Sequence, residues 1–70
     1  MLENINWMNV FRVNRKNTEV CFTMVDNNKI ICRFDTMDKA ANFCDQAIEE
    51  AKKHRVHLII EGHGDLVYDN

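Results

Sequence analysis

Glu61-Gly62-His63-Gly64-Asp65 sets an imidazole between two carboxylates and two glycines. Those residue types could form a general base with an acid to orient it, because histidine titrates near neutral pH and a carboxylate can fix its tautomer. The spacing argues against that chemistry. Successive strand residues point to opposite faces, so this run does not aim three side chains at one point. No separate nucleophile lies nearby. The stretch reads instead as a tight turn between two short strands, with Gly62 and Gly64 giving the backbone its freedom and His63 at the tip.

Cys21, Cys32 and Cys44, with His54, His57 and His63, are the remaining groups that could ligate a metal or act as nucleophiles. The cysteines are separated by ten and eleven residues and form no C-x-x-C pair, so a zinc spacing is missing. An odd cysteine number without an export signal points to free thiols that behave as small buried apolar groups. His54 and His57 stand three apart across a helix end and share no face. Asp45, Glu49 and Glu50 cluster on one exposed helix face. Acid–base work by such a cluster needs a cleft, and a solvated face is the ordinary reading. No phosphate loop, nucleophile elbow or dinucleotide fingerprint occurs. The chain is therefore expected not to be an enzyme, and to use neither metal nor cofactor.

The stretch from Trp7 to Lys16 mixes aromatic and basic residues. One reading is a nucleic-acid surface, with Trp7 or Phe11 stacking on bases and Arg12, Arg15, Lys16 and Arg33 on phosphates. The competing reading is an edge strand whose aromatics pack and whose charges discourage edge pairing. The second is favoured, because the chain has net charge −2 with only nine Lys and Arg. Residues 1–33 carry +2 and residues 34–70 carry −4, too dilute for a nucleic-acid arm.

These groups must be positioned by a small set of elements. Ala40, Phe43, Cys44, Ala47, Ile48 and Ala51 recur at helical period and predict an amphipathic helix over 37–54. Thr36 or Asp35 can cap its start, and Lys52, Lys53, His54 and Arg55 gather where the helix dipole favours cations. Before the helix the period is two. Val20, Phe22 and Met24 form one strand and Ile30, Cys32 and Phe34 another, joined at Asn27-Asn28, since Asn tolerates positive φ. Ile5–Val13 reads as an earlier strand, with Arg15-Lys16-Asn17 connecting onward. Val56–Glu61 and Leu66-Val67-Tyr68 read as strands after the helix.

The expected fold is a two-layer α+β domain of order β-β-β-α-β-β, one helix on an antiparallel-rich sheet, in a single domain spanning 1–70. The third strand, the helix and the fourth strand would make a crossover with parallel strands. The helix would cover Val20, Phe22, Met24, Ile30, Cys32, Phe34, Leu58 and Ile60. The opposite face would hold Cys21, Thr23, Val25, Ile31, Arg33, His57, Ile59 and Glu61. It is half apolar, and no second helix exists to cover it. Such a face commonly meets a partner. Val25, Ile31, Arg33, His57 and Ile59 are its candidate contact residues.

Seventy residues bury only about 60% of their unfolded surface, so a partner subunit would add needed stability. The N-terminal residues show no basic region followed by an apolar run, and nothing approaches the ~20 apolar residues of a membrane span. A cytoplasmic protein with no membrane association is expected.

Phe34-Asp35-Thr36, the helix alanines Ala40, Ala47 and Ala51, then Leu58, Ile60, Gly62 and Asp69 carry a resemblance. Over residues 20–70 the chain resembles a family of short bacterial and phage domains of unknown function, built from a strand, F-x-T, an Ala-rich helix, an L-x-I-x-G strand and an acidic tail. The family's tryptophan before F-x-T is replaced here by the region of Val20 and Phe22, and Gly62 and Gly64 stand one residue closer than its glycines. The resemblance implies the fold and no catalytic residues. The expected function is a non-catalytic protein-interaction module, such as a small regulator or inhibitor, acting as a homodimer or on another protein. Nucleic-acid binding is the alternative.

Overall fold

The computed structural model describes residues 2–62. Two short 3-10 turns, Leu2–Asn4 and Trp7–Asn9, lead into strand β1 (Val10–Lys16). Strands β2 (Glu19–Met24) and β3 (Lys29–Arg33), helix α1 (Met37–Lys53) and strand β4 (Ile59–Glu61) follow. The α+β expectation is met: one helix packs on a four-stranded sheet of order β3-β2-β1-β4. The strand expected at Leu66-Val67-Tyr68 lies outside the described residues.

The N-terminal strand is displaced from its expected position. Ile5–Val13 is not extended throughout, because the turn at Trp7–Asn9 occupies its middle. β1 instead runs on through Lys16, and the reversal falls at Asn17-Thr18, where Asn17 takes φ 56°. The second hairpin matches the sequence. Asn27 has φ 73°, and the Asp26 Oδ1 accepts from the Asn28 amide at 3.1 Å.

α1 begins one residue after Thr36, whose Oγ1 accepts from the Lys39 amide at 3.2 Å. It ends in a paired C-terminal motif. The Val56 amide donates to the Ala51 carbonyl at 2.9 Å and the Arg55 amide to Lys52 at 3.0 Å. Arg55 takes the left-handed conformation, φ 59°, that glycine usually fills in this motif. This turn sends the chain from the helix toward β4.

β1 pairs antiparallel with β2, and β2 with β3. β4 joins the far side of β1, parallel to it, with Val13 opposite Ile60. The β3–α1–β4 crossover thus links the two ends of the sheet, with β1 and β2 between. α1 lies over β1 and β2, the centre of the sheet.

One layer of core fills the space beneath α1. Val10, Val13, Val20, Phe22 and Cys32 meet Ala40, Cys44, Ala47, Ile48 and Ala51, with Trp7 closing one side. Trp7 meets Phe22 edge-on at 5.9 Å between centroids, and Phe22 meets Phe43 at 6.1 Å. Aromatic pairs in such geometry add roughly 0.5–1.5 kcal/mol beyond the area they bury. The alanines let the helix backbone approach, which leaves room for the rings.

Candidate interaction face

Strand register decides which side chains share the uncovered face. Ile59, Arg12, Thr23 and Lys29 form one row across the sheet. Glu61, Asn14, Cys21 and Ile31 form the next, and Lys16, Glu19 and Arg33 a third. Of the residues expected there, Cys21, Thr23, Ile31, Arg33, Ile59 and Glu61 are in place. Ile31 is 47% exposed and Ile59 48%. They stand on opposite edge strands, three spacings of about 4.8 Å apart. Thr23 between them is buried.

Two of the expected contact residues sit elsewhere. Val25 follows the end of β2, so strand alternation no longer sets its direction. It is exposed and borders a hollow with Asn6, Asn9, Met24 and Asp26. His57 precedes β4 and lines a groove on the helix side of the sheet with Lys52, Arg55 and Ile60. It is not part of the open face.

The two arginines of the open face each meet a glutamate, and Lys16 and Lys29 stand exposed in its outer rows. Arg33 Nε donates to Glu19 Oε2 at 2.9 Å. Arg12 Nε lies 3.6 Å from Glu61 Oε1 and is buried without a hydrogen bond among the described residues. The Arg12 guanidinium also rests 5.4 Å from the centre of the Phe11 ring. Phe11 is an extra residue in β1, where the pairing shifts between Val10 and Arg12.

The nucleic-acid set is not brought together. Trp7 is only 3% exposed, wedged against Phe22, and cannot stack on a base. Arg15 follows Val13 by two and pairs with Val20, so it belongs to the helix side, where its charge acts on the Cys44 thiol. Arg12 and Arg33 each face a glutamate. Lys16, at the end of β1, and Arg33 on edge strand β3 are the exposed members of the set. The acidic helix cluster is also balanced, with Lys52 3.6 Å from Glu49 and Lys53 3.1 Å from Glu50.

The cysteines divide by face. Cys32 and Cys44 are buried beneath α1, and burial raises both thiols, Cys44 to about 11. Cys21 sits half-buried on the open face. A thiol reagent at neutral pH should modify Cys21 first, with Cys32 and Cys44 reacting only as fast as the domain opens. Labelling followed by mass spectrometry tests this. Equal rates at all three would show that the helix does not seal its side of the sheet. Among the described residues, no three His, Cys, Asp or Glu side chains gather in a way that could hold a metal ion. No described helix is long and apolar enough to cross a membrane.

No family model, curated protein or solved structure matches the chain.

Proposed function

We propose that the chain is a non-catalytic protein-interaction module whose open sheet face binds a second copy of itself. The observation that carries this reading is the pair of half-exposed isoleucines on a face whose arginines are already matched by glutamates. Such a face offers apolar area, and Lys16 and Lys29 are too few to make the phosphate contacts of a nucleic-acid surface. A small bacterial or phage regulator of the kind the resemblance suggests would work this way, displaying or hiding the face according to its partner.

Sedimentation of Ile31→Asp tests the reading. Covering an isoleucine contributes roughly 1.5–3 kcal/mol, and each dimer loses two. The wild type should sediment as a dimer, and the variant as a monomer with the same helical circular dichroism. A wild type that stays monomeric at the highest concentration reached would remove self-association. A heterologous protein would then be the partner to seek.

A further inference from the structure

β3 is an edge strand whose outer side no described strand pairs. Its hydrogen bonds to β2 show which backbone groups are left over. The Phe34 amide donates to the Thr18 carbonyl at 2.9 Å, and the Met24 amide to the Asn28 carbonyl at 2.8 Å. These two bonds bracket the ladder, and bonded pairs recur at every second residue of an antiparallel ladder. Ile30 and Cys32 therefore turn their amides and carbonyls toward Phe22 and Val20. Lys29, Ile31 and Arg33 turn theirs outward, off the sheet. Pairing along β3 is regular, and neither a proline nor a bulge blunts this edge. The middle of the strand is apolar on both sides, with Ile30 half-exposed on the helix side and Ile31 on the open face.

We infer that β3 accepts an extended segment of another protein as an added antiparallel strand, one that alternates acidic, apolar and acidic residues on the open-face side. Main-chain bonds to Lys29, Ile31 and Arg33 hold it, and its side chains cover Ile30 and Ile31. Charge complementarity sets its composition. The three residues with outward backbone groups also place their side chains on the open face, in the order base, isoleucine, base. Lys29 has no ion-pair partner among the described residues. Arg33 gives its Nε to Glu19, yet its side chain is 70% exposed. A carboxylate on the added strand continues that row with alternating sign. A second copy is the poorer occupant. β3 laid antiparallel on itself about Ile31 sets Lys29 against Arg33 at both ends, and like charges directly opposite repel. The outward amides belong to the edge, so strand addition does not depend on two copies joining through the face.

Titrating isotope-labelled protein with the capped peptide Thr-Glu-Val-Val-Val-Glu-Thr tests this, beside its twin Thr-Lys-Val-Val-Val-Lys-Thr. The glutamate peptide should slow amide exchange at Lys29, Ile31 and Arg33 and leave Ile30 and Cys32 unchanged, since those two already bond to β2. The lysine peptide should bind roughly tenfold more weakly, because two attractive cross-strand pairs become repulsive. In Lys29→Glu that preference should disappear, as the two charged positions then favour opposite peptides. Exchange that slows at none of Lys29, Ile31 and Arg33, up to the solubility limit of the glutamate peptide, would overturn the proposal. Equal slowing by both peptides would overturn the acidic partner. Slowing in the protein alone that grows with its concentration would also overturn it, by giving the edge to a second copy. A wild type that sediments as a monomer would remove the dimer and leave each of these outcomes as it stands.

Discussion

Ile48→Asp is expected to leave the chain unfolded, with the helical circular dichroism lost and no cooperative transition on heating. Ile48 is 3% exposed and belongs to the layer that joins α1 to the sheet. A carboxylate there loses its water among the apolar side chains that hold α1 to the sheet, with Cys44, Ala47 and Ala51 as neighbours on the stripe. Truncating a buried isoleucine costs about 2–5 kcal/mol, and stranding a polar group adds to that. A domain's whole stability is typically about 5–15 kcal/mol, and a 70-residue chain sits toward the low end. Ile48→Asp therefore exceeds what the fold can absorb. Ile48→Val serves as the control, because it keeps the site apolar and should cost only about 0.5–1.5 kcal/mol. An Ile48→Asp chain that melts like wild type would mean that α1 does not lie on the sheet along this stripe.

The helix was legible because a single period governs it. Six apolar residues at helical spacing define one face, and five of them are buried in the structure, with Phe43 partly so. Thr36 caps as expected because a short side-chain oxygen can reach the amide three residues on. β2 and β3 were legible for the matching reason: their alternation separates Phe22 and Cys32 from Cys21 and Ile31 without conflict. Ile30 shows the limit of that reading. It lies on the helix side by register, yet is 40% exposed, because α1 rests mainly on β1 and β2 and shields Cys32 but not this position of edge strand β3.

β1 was less legible because its alternation breaks. Val10 and Val13 are both buried at a spacing of three, which strand parity does not accommodate. The extra residue Phe11 reconciles them, and beyond it Arg12 and Arg15, three apart in regular alternation, fall on opposite faces. A local reading that groups basic residues by proximity cannot see that division. Trp7 packs, as the favoured reading of its stretch expects, but from a turn and not from a strand. The 3-10 turn Trp7–Asn9 folds the ring back onto Phe22, which the strand expected over Ile5–Val13 did not foresee. The parallel pairing of β4 with β1 joins residues more than forty positions apart and has no local signature. His57 fell outside the open face because β4 starts only at Ile59.

Gly62 is where the opening motif and the sheet meet, and Gly62→Ala is expected to detach β4 from β1. Two effects act together. The residue holds φ 68°, and an L-alanine in that region costs roughly 1–2 kcal/mol. Its Cβ would also fall 2.0 Å from the Arg15 carbonyl oxygen, far inside contact distance. That oxygen is backbone in the centre of the sheet, so it cannot swing away as a side chain would. The Cβ would meet Asn14 Oδ1 at 2.8 Å as well, but that group is flexible and can give way. The distinction supplies the test. Trimming the flexible neighbour should not rescue the variant, so Gly62→Ala and Gly62→Ala/Asn14→Ala should lose similar stability in urea. Amide exchange should rise at Ile59–Glu61, because their pairing with Arg12, Val13 and Asn14 depends on close approach at Gly62. α1 should keep its protection, since it rests on β1 and β2. Recovery in the double variant would place the obstruction at Asn14. A Gly62→Ala chain as stable as wild type would mean that β4 does not run this close to β1, and that Gly62 serves the turn alone.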